Sequence, residues 1–245
     1  MRGMSHVNIQ DSDGFRFNWA QFEVWLQMPL AKMSLYDLLE EMREGSGVKG
    51  FPWREVWVEG KKTPFPVIPL VQRRSYARQL LTGLSYLHSH GIIHCDISSK
   101  NLLITEEGVL KITDFGISYC FCTGMNDMSV KPWDITLIQY RDVNLLGDES
   151  EGEQEFRYSF EVDVWSAAVI IMEMETSALP FSVPDSEDAA KINIERVLSK
   201  RCEGCGDPTW FSHFTDVNVA RTVYQMLDFD PARRITAAQA LAQMS

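Results

Sequence analysis

The stretch EVDVWSAAVIIMEMET, residues 161–176, constrains the fold more than any other part of the chain. Its apolar residues occupy nearly the whole circumference of a helix, so no face is left for water and the segment belongs at the centre of a domain. With 245 residues and a 45% hydrophobic fraction the chain can bury such a helix, in one large domain or two modest ones. Its apolar run, VWSAAVIIM, falls well short of the roughly 18 residues that suggest a membrane span. No basic stretch followed by an apolar core occurs near the N-terminus, so the chain reads as soluble and unprocessed.

Other elements arrange themselves around that helix. FRFNWAQFEVWLQM, within residues 1–28, alternates aromatic and polar positions and predicts one or two strands. SLYDLLEEMRE predicts a helix with Ser34 as N-cap and Leu35, Leu38, Leu39 and Met42 on one face. Residues 45–70 are dense in Gly and Pro and read as a long loop or insertion. VQRRSYARQLLTGLSYLHSHG repeats apolar residues at helical spacing and stops at Gly91. LLI and VLKIT flank TEEG as a β-hairpin, and residues 117–160, polar and weakly periodic, read as a long surface segment. VARTVYQML and ITAAQALAQM close the chain as helices. A little β followed by mostly α, with one hairpin between helices, is an α+β fold with a helical body.

The chemistry concentrates in HCDISSKN, residues 94–101. An Asp with an Asn five positions later is commonplace, and a polar turn before a strand explains it equally well. What adds weight is DFG, whose Asp114 lies thirteen residues after Asn101 across the expected hairpin. That hairpin can return Asp114 beside Asn101, giving two oxygen ligands for a hard cation such as Mg²⁺, which suits a sparse ligand set completed by phosphate and water. Asp96 would then accept a hydrogen bond from an incoming hydroxyl and aim it at a γ-phosphoryl group.

These residues resemble the eukaryotic protein kinase family. HCDISSKN is similar to the catalytic-loop pattern H-R-D-x-x-x-x-N and DFG matches unchanged. YRDVNLLG, residues 140–147, resembles the Y-R-A-P-E-L-L-G end of an activation segment; EVDVWSAAVIIMEM resembles the D-x-W-S-x-G helix; MLDFDPARRITAAQAL resembles the family's closing motif. PDSEDAAKINIERVLSKRCEGCGDP is similar to the stretch after that helix in cyclin-dependent and mitogen-activated kinases. The resemblance implies a kinase-like fold, with residues 1–28 as a remnant of the N-terminal β lobe and hinge and residues 29–245 as the helical lobe, interrupted at about 45–70. It implies ATP and Mg²⁺ as cofactors, Asp96 as catalytic base, and Asn101 and Asp114 as metal ligands. Leu103 would lie beneath the adenine, and the chain around Met28 and Leu30 would meet its edge. His94 and Phe115 would stack beneath the loop, and Asp163 would anchor its backbone.

The pattern also breaks. Cys95 stands where an Arg usually pairs with a phosphorylated activation loop, so charge-driven ordering of that loop should be weak. Ser98 replaces a phosphate-contacting Lys, and Lys100 is the candidate to supply that charge, against the plainer alternative of a solvated surface side chain. Asp142, Val143 and Asn144 replace A-P-E, which removes the Glu expected to pair with Arg234 and leaves that Arg needing another acceptor. Ala168 replaces a Gly of the central helix. The glycine-rich turn and third-strand Lys of the family have no counterpart before the expected hinge, where SHVNI resembles the start of a fourth strand. GSGVKG, residues 45–50, fits G-x-G-x-x-G literally but follows the hinge and reads as a loop. A Lys charge about 4 Å from a phosphate is worth roughly 4 kcal/mol, so this chain alone should be nearly inactive.

Two functions are therefore carried forward: a serine/threonine protein kinase, and a pseudokinase or scaffold that binds protein partners with its helical lobe. A protein substrate, ATP and a regulatory protein are the expected partners, in the cytoplasm or nucleus. A net charge of -11 and a pI near 4.9 argue against nucleic-acid or anionic-membrane surfaces. Among five Cys, the pairs Cys120/Cys122 and Cys202/Cys205 match no compact zinc module and read as free thiols in a reducing compartment. Thr123, Ser129 and Thr136 are candidate phosphoacceptors.

Overall fold

The computed structural model describes residues 5–19, 21–45, 56–58, 61–63, 68–121, 128–130, 137–146, 156–176, 179–181, 187–199, 210 and 214–244. In chain order these form β1 (Gly14–Asn18), β2 (Glu23–Gln27), β3 (Met33–Ser34), α1 (Leu35–Gly45), β4 (Val56–Val58), β5 (Lys61–Thr63) and α2 (Leu70–Ser89). Then come β6 (Ile92–Ile93), β7 (Leu102–Ile104), β8 (Leu110–Ile112), β9 (Tyr119–Cys120), β10 (Met128–Val130), β11 (Phe156–Tyr158), α3 (Glu161–Thr176), α4 (Glu187–Ser199), α5 (Val217–Met226) and α6 (Ala237–Gln243). GSGVKG, Thr123, Thr136, Cys122, Cys202 and Cys205 lie outside the described residues. Among those described, no helix is long and apolar enough to cross a membrane.

α3 is the hub that its sequence predicts, with every residue from Val162 to Glu175 buried. Trp165, Val169, Ile170, Ile171 and Met172 are among its core side chains, and each such burial stabilises the fold by about 1.5–3 kcal/mol. α2 packs alongside it, burying Tyr76, Ala77, Leu80, Leu81, Leu84 and Leu87 at helical spacing. Just beyond α2, Gly91 takes the left-handed conformation (φ +70°) that lets the chain turn back at low cost. At α1 the cap is reciprocal: the Asp37 N–H donates to Ser34 Oγ (3.1 Å) and the Ser34 N–H donates to Asp37 Oδ2 (2.9 Å). Leu35 and Leu39 then enter the core.

β7 and β8 form the expected antiparallel hairpin, with Leu102 opposite Ile112 and Ile104 opposite Leu110, and β3 adds to its outer edge. The N-terminal segment docks on β8. Its Asn8 carbonyl accepts the Ile112 N–H (2.9 Å), the Gln10 N–H donates to Ile112 O (2.8 Å), and Asn8 Nδ2 donates to Leu110 O (2.9 Å). SHVNI therefore contributes a single bridge at Ile9, short of a strand. Close approach here depends on Gly83 of α2, because a Cβ at that position would lie 3.1 Å from the Asn8 carbonyl oxygen.

β1 and β2 pair as an antiparallel hairpin with Phe15 opposite Leu26 and Phe17 opposite Val24, which puts four apolar side chains on one face. All four are exposed, as is every residue from 21 to 30.

One expectation fails. Residues 137–146, read from sequence as surface, contain Tyr140, Arg141, Asp142, Val143, Leu145 and Leu146 as buried residues. Their apolar members belong to the same buried clusters as α3, while Tyr140 and Asp142 find polar partners inside the fold, as described below.

Candidate active site

A single carboxylate organises the loop at residues 94–101. Asp163 of α3 accepts the His94 N–H at Oδ2 (2.8 Å), the Cys95 N–H at Oδ1 (3.0 Å) and a contact from His88 Nε2 at 3.0 Å. These bonds hold Cys95 in the left-handed region (φ +66°), a conformation that costs a non-glycine residue about 1 kcal/mol or more. The buried Cys95 side chain packs with Ile93, Leu145 and Val162, an apolar niche for a position where charge would be costly. Asp163 thus has the anchoring position that the sequence suggests.

His94 is fully buried and its two nitrogens have distinct partners. The Asp96 N–H donates to Nδ1 (3.2 Å), so Nε2 carries the proton and donates to Thr113 O (2.8 Å). Burial holds its imidazole below the ordinary range, against the opposing pull of Asp163, Thr113, Asp96 and Asp114, so the ring stays neutral. It stacks on Phe115 with ring centroids 4.8 Å apart. Asp96 is half-buried, and Asn101 Nδ2 donates both to its Oδ2 (2.8 Å) and to its carbonyl (2.9 Å). This fixes the amide orientation and leaves the Asn101 amide oxygen without a hydrogen bond among the described residues.

The Thr113 N–H donates to Asn101 O (3.0 Å), which brings the exposed Asp114, next in the chain, to the same end of the β7–β8 hairpin. Asp114 also has a positive φ (+62°) and accepts the Gly116 N–H at Oδ1 (3.3 Å). A free amide oxygen and an exposed carboxylate at one end of the hairpin are hard oxygen donors, the chemistry that Mg²⁺ takes. Among the described residues no group of three His, Cys, Asp or Glu side chains converges as a denser metal site.

The other sequence-derived positions are distributed around this centre. Leu103 is half-buried in β7, opposite Ser34 and Lys111. Met28 and Leu30 are exposed, at 43% and 97%, in the segment that leaves β2. That segment returns to β7 where the Lys32 N–H donates to Ile104 O (2.8 Å), one residue from Leu103. Lys100 is exposed, and its Nζ stands 5.1 Å from the centre of the Tyr36 ring on α1. The structure thus joins Asp96 and Asn101 directly, puts Asp114 one residue beyond the Thr113–Asn101 bond, and draws Lys100 toward α1.

Two arrangements were not foreseen. Arg234 is not deprived of a carboxylate: Asp142, inside the departed A-P-E motif, takes both guanidinium nitrogens, through Nη1 to Oδ2 and Nη2 to Oδ1 (3.3 Å). The expected loss of a buried ion pair is therefore corrected, because an Asp two positions before the family's Glu fills the same need. Arg234 also donates to Asp228 O (2.9 and 3.1 Å) and Glu161 O (2.9 Å) and lies over the Trp165 ring at 5.0 Å. The second arrangement is a buried relay. Ser99 Oγ and Tyr140 OH lie 2.8 Å apart, Tyr140 OH donates to Glu173 Oε2 (2.8 Å), and Arg43 Nη2 donates to Glu173 Oε1 (3.0 Å). It ties the loop to α3 and α1. Burial pushes the Glu173 carboxyl up, opposed by Tyr140 and Arg43, and pushes the Tyr140 hydroxyl up as well. Its one sequence signal is a Glu among the apolar residues of α3.

Comparison with known proteins places this geometry. The protein kinase domain model matches residues 31–244. Cyclin-dependent kinase E-1 of Arabidopsis thaliana is 25% identical over 284 aligned residues, covering 98% of this chain and 54% of that protein. Serine/threonine-protein kinase STK11 of Gallus gallus is 31% identical, covering 70% of this chain and 35% of its own length. MAP kinase kinase kinase mkh1 of Schizosaccharomyces pombe is 39% identical over 124 residues, half of this chain and 11% of that protein. The chain spans about half the length of these relatives or less. With the match extending over nearly the whole helical body, the chain belongs to the eukaryotic protein kinase family.

Proposed function

We propose that this chain carries the catalytic residues of a serine/threonine protein kinase, which transfers the γ-phosphoryl group of ATP to a protein hydroxyl. The observation that carries the proposal is the Asn101 amide bonded to Asp96 with Asp114 one residue from the Thr113–Asn101 bond. Asp96 would accept the hydrogen bond of the substrate hydroxyl and orient it, with its carboxylate aimed by Asn101. Asn101 and Asp114 would hold Mg²⁺, which when bound neutralises charge on the phosphates. Leu103 would form the apolar floor beneath adenine, and main-chain groups from Met28 to Leu30 would meet its edge. Lys100 would leave the Tyr36 ring to contact a phosphate, which exchanges a cation–π contact of about 0.5–1 kcal/mol for an ion pair.

For these 245 residues alone the reading is near-inactivity, with any transfer slow, since a third-strand Lys worth roughly 4 kcal/mol is not supplied. A second reading, a scaffold that binds protein partners, is favoured by one observation: the uncovered apolar face of the β1–β2 hairpin. Transfer of labelled γ-phosphate to a generic protein substrate decides between them. The kinase reading expects slow transfer that Asp96→Asn reduces at least a hundredfold with the melting temperature unchanged. Transfer insensitive to Asp96→Asn would overturn the assignment of the base, and no transfer at all would leave the scaffold as the function.

A further inference from the structure

α2, α3, α5 and α6 enclose a cavity of about 430 Å³, within the range of small-molecule sites. It lies near the N-terminal half of α2. Arg78, its member closest to the catalytic loop, precedes His88 by ten residues, or about 15 Å of helix. The floor is apolar, formed by Ala77, Ile171, Met174 and Val219, while Arg73, Arg74 and Arg78 supply guanidinium groups.

The charges there do not balance. Arg73 faces Glu175, Nε to Oε1 at 3.4 Å, and Arg74 pairs with Asp216. Arg78 meets no carboxylate among the described residues; its Nη1 donates to Met244 O (2.9 Å). Arg73 is buried, donates from Nη2 to Thr215 Oγ1 (2.8 Å), and keeps its Nε without a hydrogen bond. Three guanidinium groups thus share two carboxylates above an apolar floor, in a chain whose net charge is -11. The surplus positive charge, carried by the exposed Arg78, favours one further anion.

We propose that this cavity is a binding site for a small monocarboxylate with an apolar body, the carboxylate on Arg78 and the body over Ile171, Met174 and Val219. The site is separate from the proposed phosphoryl-transfer centre and needs no nucleotide, so either reading can fail without the other. The probe is 4-phenylbutyrate, titrated into the 245-residue chain and followed by calorimetry and protein NMR shifts. Saturable one-site binding is expected, at least tenfold weaker in Arg78→Ala, an exposed position. The same loss is expected in Asn218→Trp, which places a bulky side chain on the cavity lining. 4-Phenylbutanol, which lacks the charge, and acetate, which lacks the body, should each bind at least tenfold more weakly. Binding that is non-saturable, or equal in Arg78→Ala, or equal for the alcohol, would overturn the proposal and assign the contact to exposed apolar surface such as the β1–β2 hairpin.

Discussion

Replacing Asp142 by Ala would leave a buried guanidinium without its counterion. Both side chains of the Asp142–Arg234 pair are almost wholly buried, at 2% and 0% exposure, so solvent screens neither. Breaking such a pair from one side costs about 3–5 kcal/mol. Three main-chain bonds from Arg234, two to Asp228 O and one to Glu161 O, survive and satisfy its donors, but they do not neutralise it. Asp142 also accepts the Asn144 N–H (3.0 Å) at the start of a short 3₁₀ turn, a cap worth about 1 kcal/mol. About 4 kcal/mol is the expected loss, equivalent to about 8–16 °C in Tm for a chain of this size. Urea unfolding of Asp142→Ala, Arg234→Met and the double variant measures it, with a coupling energy of at least about 2 kcal/mol expected, since the second substitution removes the charge that the first exposes. A loss below about 1 kcal/mol, or two additive losses, would refute the view that Asp142 has taken over from the missing Glu.

Two further outcomes follow from other contacts. The Glu173 carboxyl is pushed up by burial, so between its ordinary value of 4.5 and its folded value the native state holds more protons than the unfolded state. Its contribution to stability is therefore full below pH 4.5 and is lost as pH rises through the folded pKa, and Glu173→Gln should flatten that decline in a pH series of urea midpoints. An unchanged slope would show that Arg43 and Tyr140 offset burial completely. Gly83→Ala should destabilise by about 1–3 kcal/mol despite the better helix former, because the new Cβ would meet Ile112 Cδ1 at 2.8 Å and the Asn8 carbonyl at 3.1 Å. A gain in Tm would mean that the N-terminal segment yields freely.

Much of this structure is written in local pattern. α3 announces itself by having no polar face, α2 by its spacing and Gly91, and the β7–β8 hairpin by two apolar runs around TEEG. The pairing of Asp96 with Asn101 follows from a short loop between fixed elements. What sequence did not reveal depends on partners far apart in the chain. Arg234 finds Asp142 across 92 residues, and Arg43 finds Glu173 across 130. No periodicity encodes such meetings. Residues 137–146 looked like surface because the stretch is polar and weakly periodic, and Asp142 can be buried there only because Arg234 meets it from far along the chain. Lys100 settled over Tyr36 for a similar reason: α1 and the loop come together only in the folded body.

The docking of Asn8 on Leu110 carries a consequence for biosynthesis. The two residues are separated by 102 positions, and a ribosome adding about 5–20 residues per second needs roughly 5–20 s to deliver the second after the first. Throughout that wait the Asn8 segment lacks the β8 edge that receives it, and the hairpin after it carries Phe15, Phe17, Val24 and Leu26 bare, as they stay in the folded chain. Unpaired backbone and bare apolar surface held together for seconds favour aggregation during synthesis.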